Sequence, residues 1–132
     1  EFNQILKILI GTSYKIGKQR FYVKGSLAFN NRSNGFSDEY RIGFETGTQL
    51  FKDKLLILTR LNTTQSLYNG SLSAANSNGS IFANNIEIVR YSGEINYFLN
   101  KKWSVSIGYS SAFSEKVIYS APALSCGIAL KL

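Results

Sequence analysis

Residues 39–50, EYRIGFETGTQL, put Tyr40, Ile42, Phe44, Thr46, Thr48 and Leu50 at alternate positions, with Glu39, Arg41, Gly43, Glu45, Gly47 and Gln49 between them. Successive side chains of an extended backbone point to opposite faces, so this stretch specifies a strand with one greasy face and one wet face. The same pattern recurs along the chain. Trp103, Val105, Ile107 and Tyr109 oppose Ser104, Ser106, Gly108 and Ser110, and Val89, Tyr91, Ile95 and Tyr97 oppose Arg90, Ser92, Glu94 and Asn96. Period two predicts seven strands: Gln4–Ile16, Arg20–Asn30, Glu39–Leu50, Leu55–Leu67, Ile86–Leu99, Trp103–Phe113 and Ala123–Leu132. Most exceed the ~5–6 residues of an ordinary strand and match the ~9–11 that cross a bilayer at a tilt.

Composition narrows the chemistry. The 132 residues suffice for a single domain. Eight Tyr and nine Phe suit a pleated, half-buried surface. The absence of His removes the usual general base and the commonest metal ligand, and one cysteine excludes a disulfide framework. No Gly-rich phosphate loop or calcium-loop pattern occurs, so the expectation is a non-enzyme with no cofactor and no metal. The net charge of +7 is spread over turns and strands, not gathered on one stretch. That argues against a nucleic-acid reader, which concentrates charge. No apolar run approaches the ~20 residues of a spanning helix.

Alternation alone does not say which face meets which solvent. A soluble barrel buries its apolar face, whereas a membrane barrel turns it outward to lipid. The connections favour the second. Tight links at Gly17–Gln19, Lys52–Lys54 and Asn100–Lys102 alternate with long Asn- and Ser-rich segments at Asn31–Asp38, Tyr68–Asn85 and Ser114–Pro122. Short periplasmic turns and longer outer loops have this rhythm. The rings follow it too. Trp103, Tyr97, Phe98, Phe51 and Phe21 lie beside the tight turns, and Phe29, Tyr40, Tyr68, Phe113 and Tyr119 near the long loops, as two interfacial girdles would require.

Ser125, Gly127, Leu130 and Leu132 form a polar-x-Gly-x-x-apolar-x-apolar pattern on the final strand. It resembles the terminal β-signal of bacterial outer-membrane barrels, although many members carry Phe or Trp where this chain has Leu132. The resemblance implies a strand read by the barrel assembly machinery and a place in the outer membrane. With a periplasmic C-terminus, the alternating links put the first strand's start outside, and seven is odd, whereas single-chain bacterial barrels have an even number. The expectation is therefore that residues 1–132 form a single barrel segment, the C-terminal part of a larger barrel. The remaining strands would come from a preceding segment or a partner chain. A fourteen-strand total would be similar to the long-chain fatty acid transporters.

The wet face carries the candidate function. The tight turn at Lys52–Lys54 sets a register that places Glu45 near Arg60, and the next strand offers Arg90 beside Arg60 with Glu94 a step away. Arg41 and Glu39 lie further out, and Lys24 sits on the second strand. This ladder, Arg41, Glu45, Arg60, Arg90 and Glu94, is either structural support inside a lumen or a lining that biases which solutes pass. The sequence thus reads as an all-β, antiparallel, up-and-down transmembrane barrel segment, a channel or transporter component for small or hydrophobic solutes. Its partners would be the lipid bilayer and further strands. The alternatives are a soluble lipocalin-like barrel binding an apolar ligand, and a non-transporting envelope scaffold.

Overall fold

The structure, a computed structural model, describes residues 3–32, 37–67, 86–116 and 121–131. Seven strands follow one another: β1 Asn3–Ile16, β2 Gln19–Arg32, β3 Glu39–Leu50, β4 Leu55–Ser66, β5 Glu87–Phe98, β6 Trp103–Lys116 and β7 Ala123–Leu130. They form a single antiparallel sheet in chain order, each strand paired with its sequence neighbour. The seven expected runs are therefore all strands, with β2 and β6 two and three residues longer at their long-loop ends. Leu132 and the rings of Tyr68 and Tyr119 lie outside the described residues. β1 and β7 share no pairing, so the sheet is open.

Register carries the alternation across the sheet. Phe29 lies opposite Tyr40, Leu27 opposite Ile42 and Phe44 opposite Leu61. Ile57 meets Ile95, which meets Ile107, which meets Cys126. One face is consequently apolar from β1 to β7. Among the described strands its only charged positions are the register pair Glu87 and Lys116, at the long-loop end of β5 and β6. Every other strand charge falls on the opposite face. Phe98 falls there as well, because it directly follows Tyr97; of the rings expected beside the tight turns, it is the one that leaves the apolar face.

The two faces pack differently. Buried Ala28, Leu58, Ile88, Asn30, Glu39 and Ser66 belong to the polar face, and buried Glu87, at the long-loop margin, belongs to the apolar one, whose Leu6, Ile10, Leu124 and Ile128 are more than 70% exposed. Glycines report the same asymmetry. A Cβ on Gly47 would meet Tyr22 Cε1 at 2.3 Å and Leu58 Cδ2 at 2.8 Å, and one on Gly43 would meet Ser26 Oγ at 2.5 Å. On the apolar face, a Cβ on Gly25 or Gly93 would meet nothing within 4 Å. Side chains therefore crowd together over the polar face and fan apart on the other. The sheet curls around its polar face.

Two local features shape the ends. In β5 and β6 the register slips between Val89 and Arg90, leaving Phe113 without an opposite number. This bulge lays the Phe113 ring on Tyr91, with centroids 4.3 Å apart. The β3–β4 turn runs through three consecutive left-handed residues, Phe51, Lys52 and Asp53, at φ 49°, 56° and 67°. None is glycine, and each sits where a Cβ is disfavoured.

Gly47→Ala should destabilise the sheet by about 1–3 kcal/mol, because the new methyl displaces the Tyr22 ring. Gly93→Ala, facing open space, should leave stability within ~0.5 kcal/mol; urea unfolding in detergent micelles compares the two. Lys52→Gly should stabilise by up to ~1 kcal/mol in the same assay by relieving the left-handed strain.

Candidate functional site

Alternation and register together place the charged side chains of the polar face. The β3–β4 turn aligns Glu45 with Arg60, and the β2–β3 pairing aligns Lys24 with Glu45. The side chains then close into a network across four strands. Arg60 Nε donates to Glu45 Oε2 at 2.6 Å and Nη1 donates to Glu94 Oε2 at 2.8 Å. Lys24 Nζ lies 3.2 Å from Glu45 Oε1, to which the Tyr22 hydroxyl also donates at 3.1 Å. Asn96 Nδ2 donates to Glu94 Oε1 at 2.8 Å, which completes the line. Charge alternates along it, so each carboxylate is neutralised by a cation on the adjacent strand. Charge-assisted bonds of this kind are about twice as strong as neutral ones.

Two members of the expected ladder stand apart. Arg90 is the register partner of Asn62, not of Arg60, whose own partner is Ser92. Arg60 turns along the strand direction to reach Glu94, and Arg90 makes no ion pair among the described residues. Arg41 belongs to a second cluster nearer the long loops. There Glu39, 5% exposed, accepts from Arg41, from Asn30 Nδ2 at 3.1 Å, and lies 3.7 Å from Arg32 Nη1. Sequence reading placed Glu39 close to Arg41 but missed that both neighbours on β2, Asn30 and Arg32, converge on it. The 30/39 register could have revealed this once the intervening loop was known to fold back within eight residues.

The apolar face carries the rings. Trp103, Tyr97 and Phe21 lie towards the tight turns, and Tyr40, Phe29 and Phe113 towards the long loops. Tyr14, which sequence reading passed over, stacks on Phe21 at 5.5 Å and extends the first group. Of the terminal motif, Ser125 and Gly127 point to the polar face and Leu130 to the apolar one. Gly127 there makes room for Ser106, whose Oγ would stand 2.9 Å from a Cβ.

What this arrangement does chemically follows from its saturation. In the central network both carboxylates are held by cations, leaving neither as a free base, and Arg60 is held at both ends. The network braces neighbouring strands across the curled face. Arg60→Gln should cost about 1–3 kcal/mol, because two partly buried carboxylates lose their shared cation. Arg90→Gln should change stability by no more than ~0.5 kcal/mol. A Glu45/Arg60 double-mutant cycle in micelles measures the coupling, which should exceed that of the more exposed Lys24/Glu45 pair.

No family model, no curated protein and no solved structure matches the chain.

Proposed function

We propose that this chain supplies seven strands to a transmembrane β-barrel of the bacterial outer membrane, part of a channel or transporter for small or hydrophobic solutes. The apolar face meets hydrocarbon and the polar face lines the lumen. The observation that carries this reading is the sidedness of the curl. Phe44, Ile107 and Leu130 are each about half exposed on the outside of the curve, and Lys24, Glu45, Arg60 and Glu94 crowd within it. In water, such a face would leave a contiguous greasy surface far larger than soluble monomers expose. In lipid it is the expected outer band, and the rings at its two margins sit at headgroup depth.

The open edges set a condition on this reading. Unpaired edge groups are not tolerated in hydrocarbon, so a sheet of this kind spans a bilayer only when closed. β1 and β7 run in the same direction, since an even number of reversals separates them. Closing an all-antiparallel barrel therefore takes an odd number of further strands, from another segment or a partner chain. A lipocalin-like cup would need the apolar face inside, and the buried apolar side chains described, Ala28, Leu58 and Ile88, lie on the other one.

Trp103 is the sole tryptophan and stands on the apolar face near a tight turn. Its fluorescence should be quenched by lipids brominated near the headgroup and spared by aqueous iodide. Quenching by iodide alone, with a monodisperse sample in plain buffer, would sink the membrane reading. Solute flux into liposomes holding the assembled barrel separates a channel from a scaffold.

A further inference from the structure

A third group of polar side chains lies on the curled face at the tight-turn end, and the central network does not absorb it. Lys15 and Arg20 are direct register partners across β1 and β2. Like charges placed opposite each other destabilise strand pairing. Arg20 has one loose, half-exposed bridge, to Asp53 at 3.6 Å. Lys15 has no ion pair among the described residues.

These two cations border a cavity of about 430 Å³ whose lining includes Ser13, Tyr22, Gln49 and Leu56, with Tyr14 and Phe21 contributing beside them. Its size falls within the ~300–1,000 Å³ usual for small-molecule sites. The hydroxyl of Ser13 and the side-chain amide of Gln49 have no hydrogen-bond partner among the described residues, so donors on three strands surround one space. The wall opposite them is apolar. Tyr22 is fixed there, its hydroxyl tied to Glu45 Oε1 at 3.1 Å and its ring lying over the bare backbone of Gly47. Leu56 lies beside it. A cationic rim, unspent donors and a preset apolar wall together match a molecule with an anionic head and a compact greasy body.

We infer that this cavity binds small carboxylates bearing an apolar group, with the carboxylate between Lys15 and Arg20 and the body against Tyr22 and Leu56. The anion would relieve the repulsion between the opposed cations and engage donors that otherwise face only water. The site depends on local geometry and holds whatever medium the outer face meets.

Benzoate is a suitable probe. Isothermal titration of the full chain in a maltoside detergent should show saturable binding of benzoate. Benzyl alcohol, lacking the charge, and inorganic phosphate, lacking the body, should each bind at least about tenfold more weakly. The Lys15→Gln/Arg20→Gln double variant should lose benzoate affinity by about tenfold or more, while unfolding in urea at a midpoint no lower than the parent, because a repulsive pair has been removed. Leu56→Ala, which keeps both cations, should weaken benzoate while leaving phosphate unchanged. No saturable benzoate binding, phosphate binding as tight as benzoate, or unchanged affinity in the double variant would each overturn the assignment. None of these outcomes bears on whether Trp103 meets lipid.

Discussion

One constraint organises the molecule: a hydrogen-bonded ladder in which the pairings from β1 through β5, and that of β6 with β7, run without a slip. Because side chains alternate along each strand and align across each pair, one face choice in one strand dictates all the others. A single-residue shift of β4 against β3 would send Arg60 to the greasy side and Leu61 to the wet one. The slip that does occur, at Val89 and Arg90, is confined to the long-loop end. It comes after the charged network has been placed and so does not disturb it.

Curvature then turns alternation into chemistry. Gly43 and Gly47 lie on the polar face beside large neighbours, so Ser26, Tyr22 and Leu58 lean over them and the face closes up. Closure brings Arg60 within reach of carboxylates on both adjacent strands, and it holds Tyr22 in place. On the other side the same bend spreads Ile10, Phe44 and Ile107 apart. A flat sheet with this sequence would keep its two-faced character and the register pairs Lys24–Glu45 and Glu45–Arg60, but its polar side chains would not crowd over Gly43 and Gly47 as they do here.

Much of this was legible from residue order, and the reasons for the exceptions are physical. Strand positions came from period two, which is strong in β3 and β6. The Glu45–Arg60 contact was readable because a short turn ties β3 to β4 and leaves one sensible register. The Arg60–Glu94 contact was not, because the link from β4 to β5 is long and sets no register; residue order put Arg90 beside Arg60 and Glu94 a step away, whereas the pairing sets Arg90 opposite Asn62. The turn at Phe51–Asp53 was recognisable as tight but not as left-handed, since it contains no Gly or Asn to announce positive φ. The cavity near Lys15 was invisible for a different reason: it arises from Tyr22 covering Gly47, and glycine in a strand leaves no periodic trace of what lies above it.

The basic excess acquires a meaning once the faces are separated. Lys7, Lys15, Arg20, Lys24, Arg32, Arg41, Arg60 and Arg90 all belong to the polar face, against Glu39, Glu45, Glu94 and Glu115. Glu45 and Glu94 in the middle are held by Arg60, and Glu39 at the long-loop end by Arg41. What is left over is positive and gathers at the tight-turn end around Lys15 and Arg20, where the loose bridge from Asp53 to Arg20 offsets it only in part. Along a concave wall such a surplus is felt more strongly than on a flat surface, because field lines are focused there. On the proposed reading, the same fold therefore does two things with charge. It cancels charge where strands need bracing, and it leaves charge uncancelled at the tight-turn mouth, where an anionic solute would enter or leave.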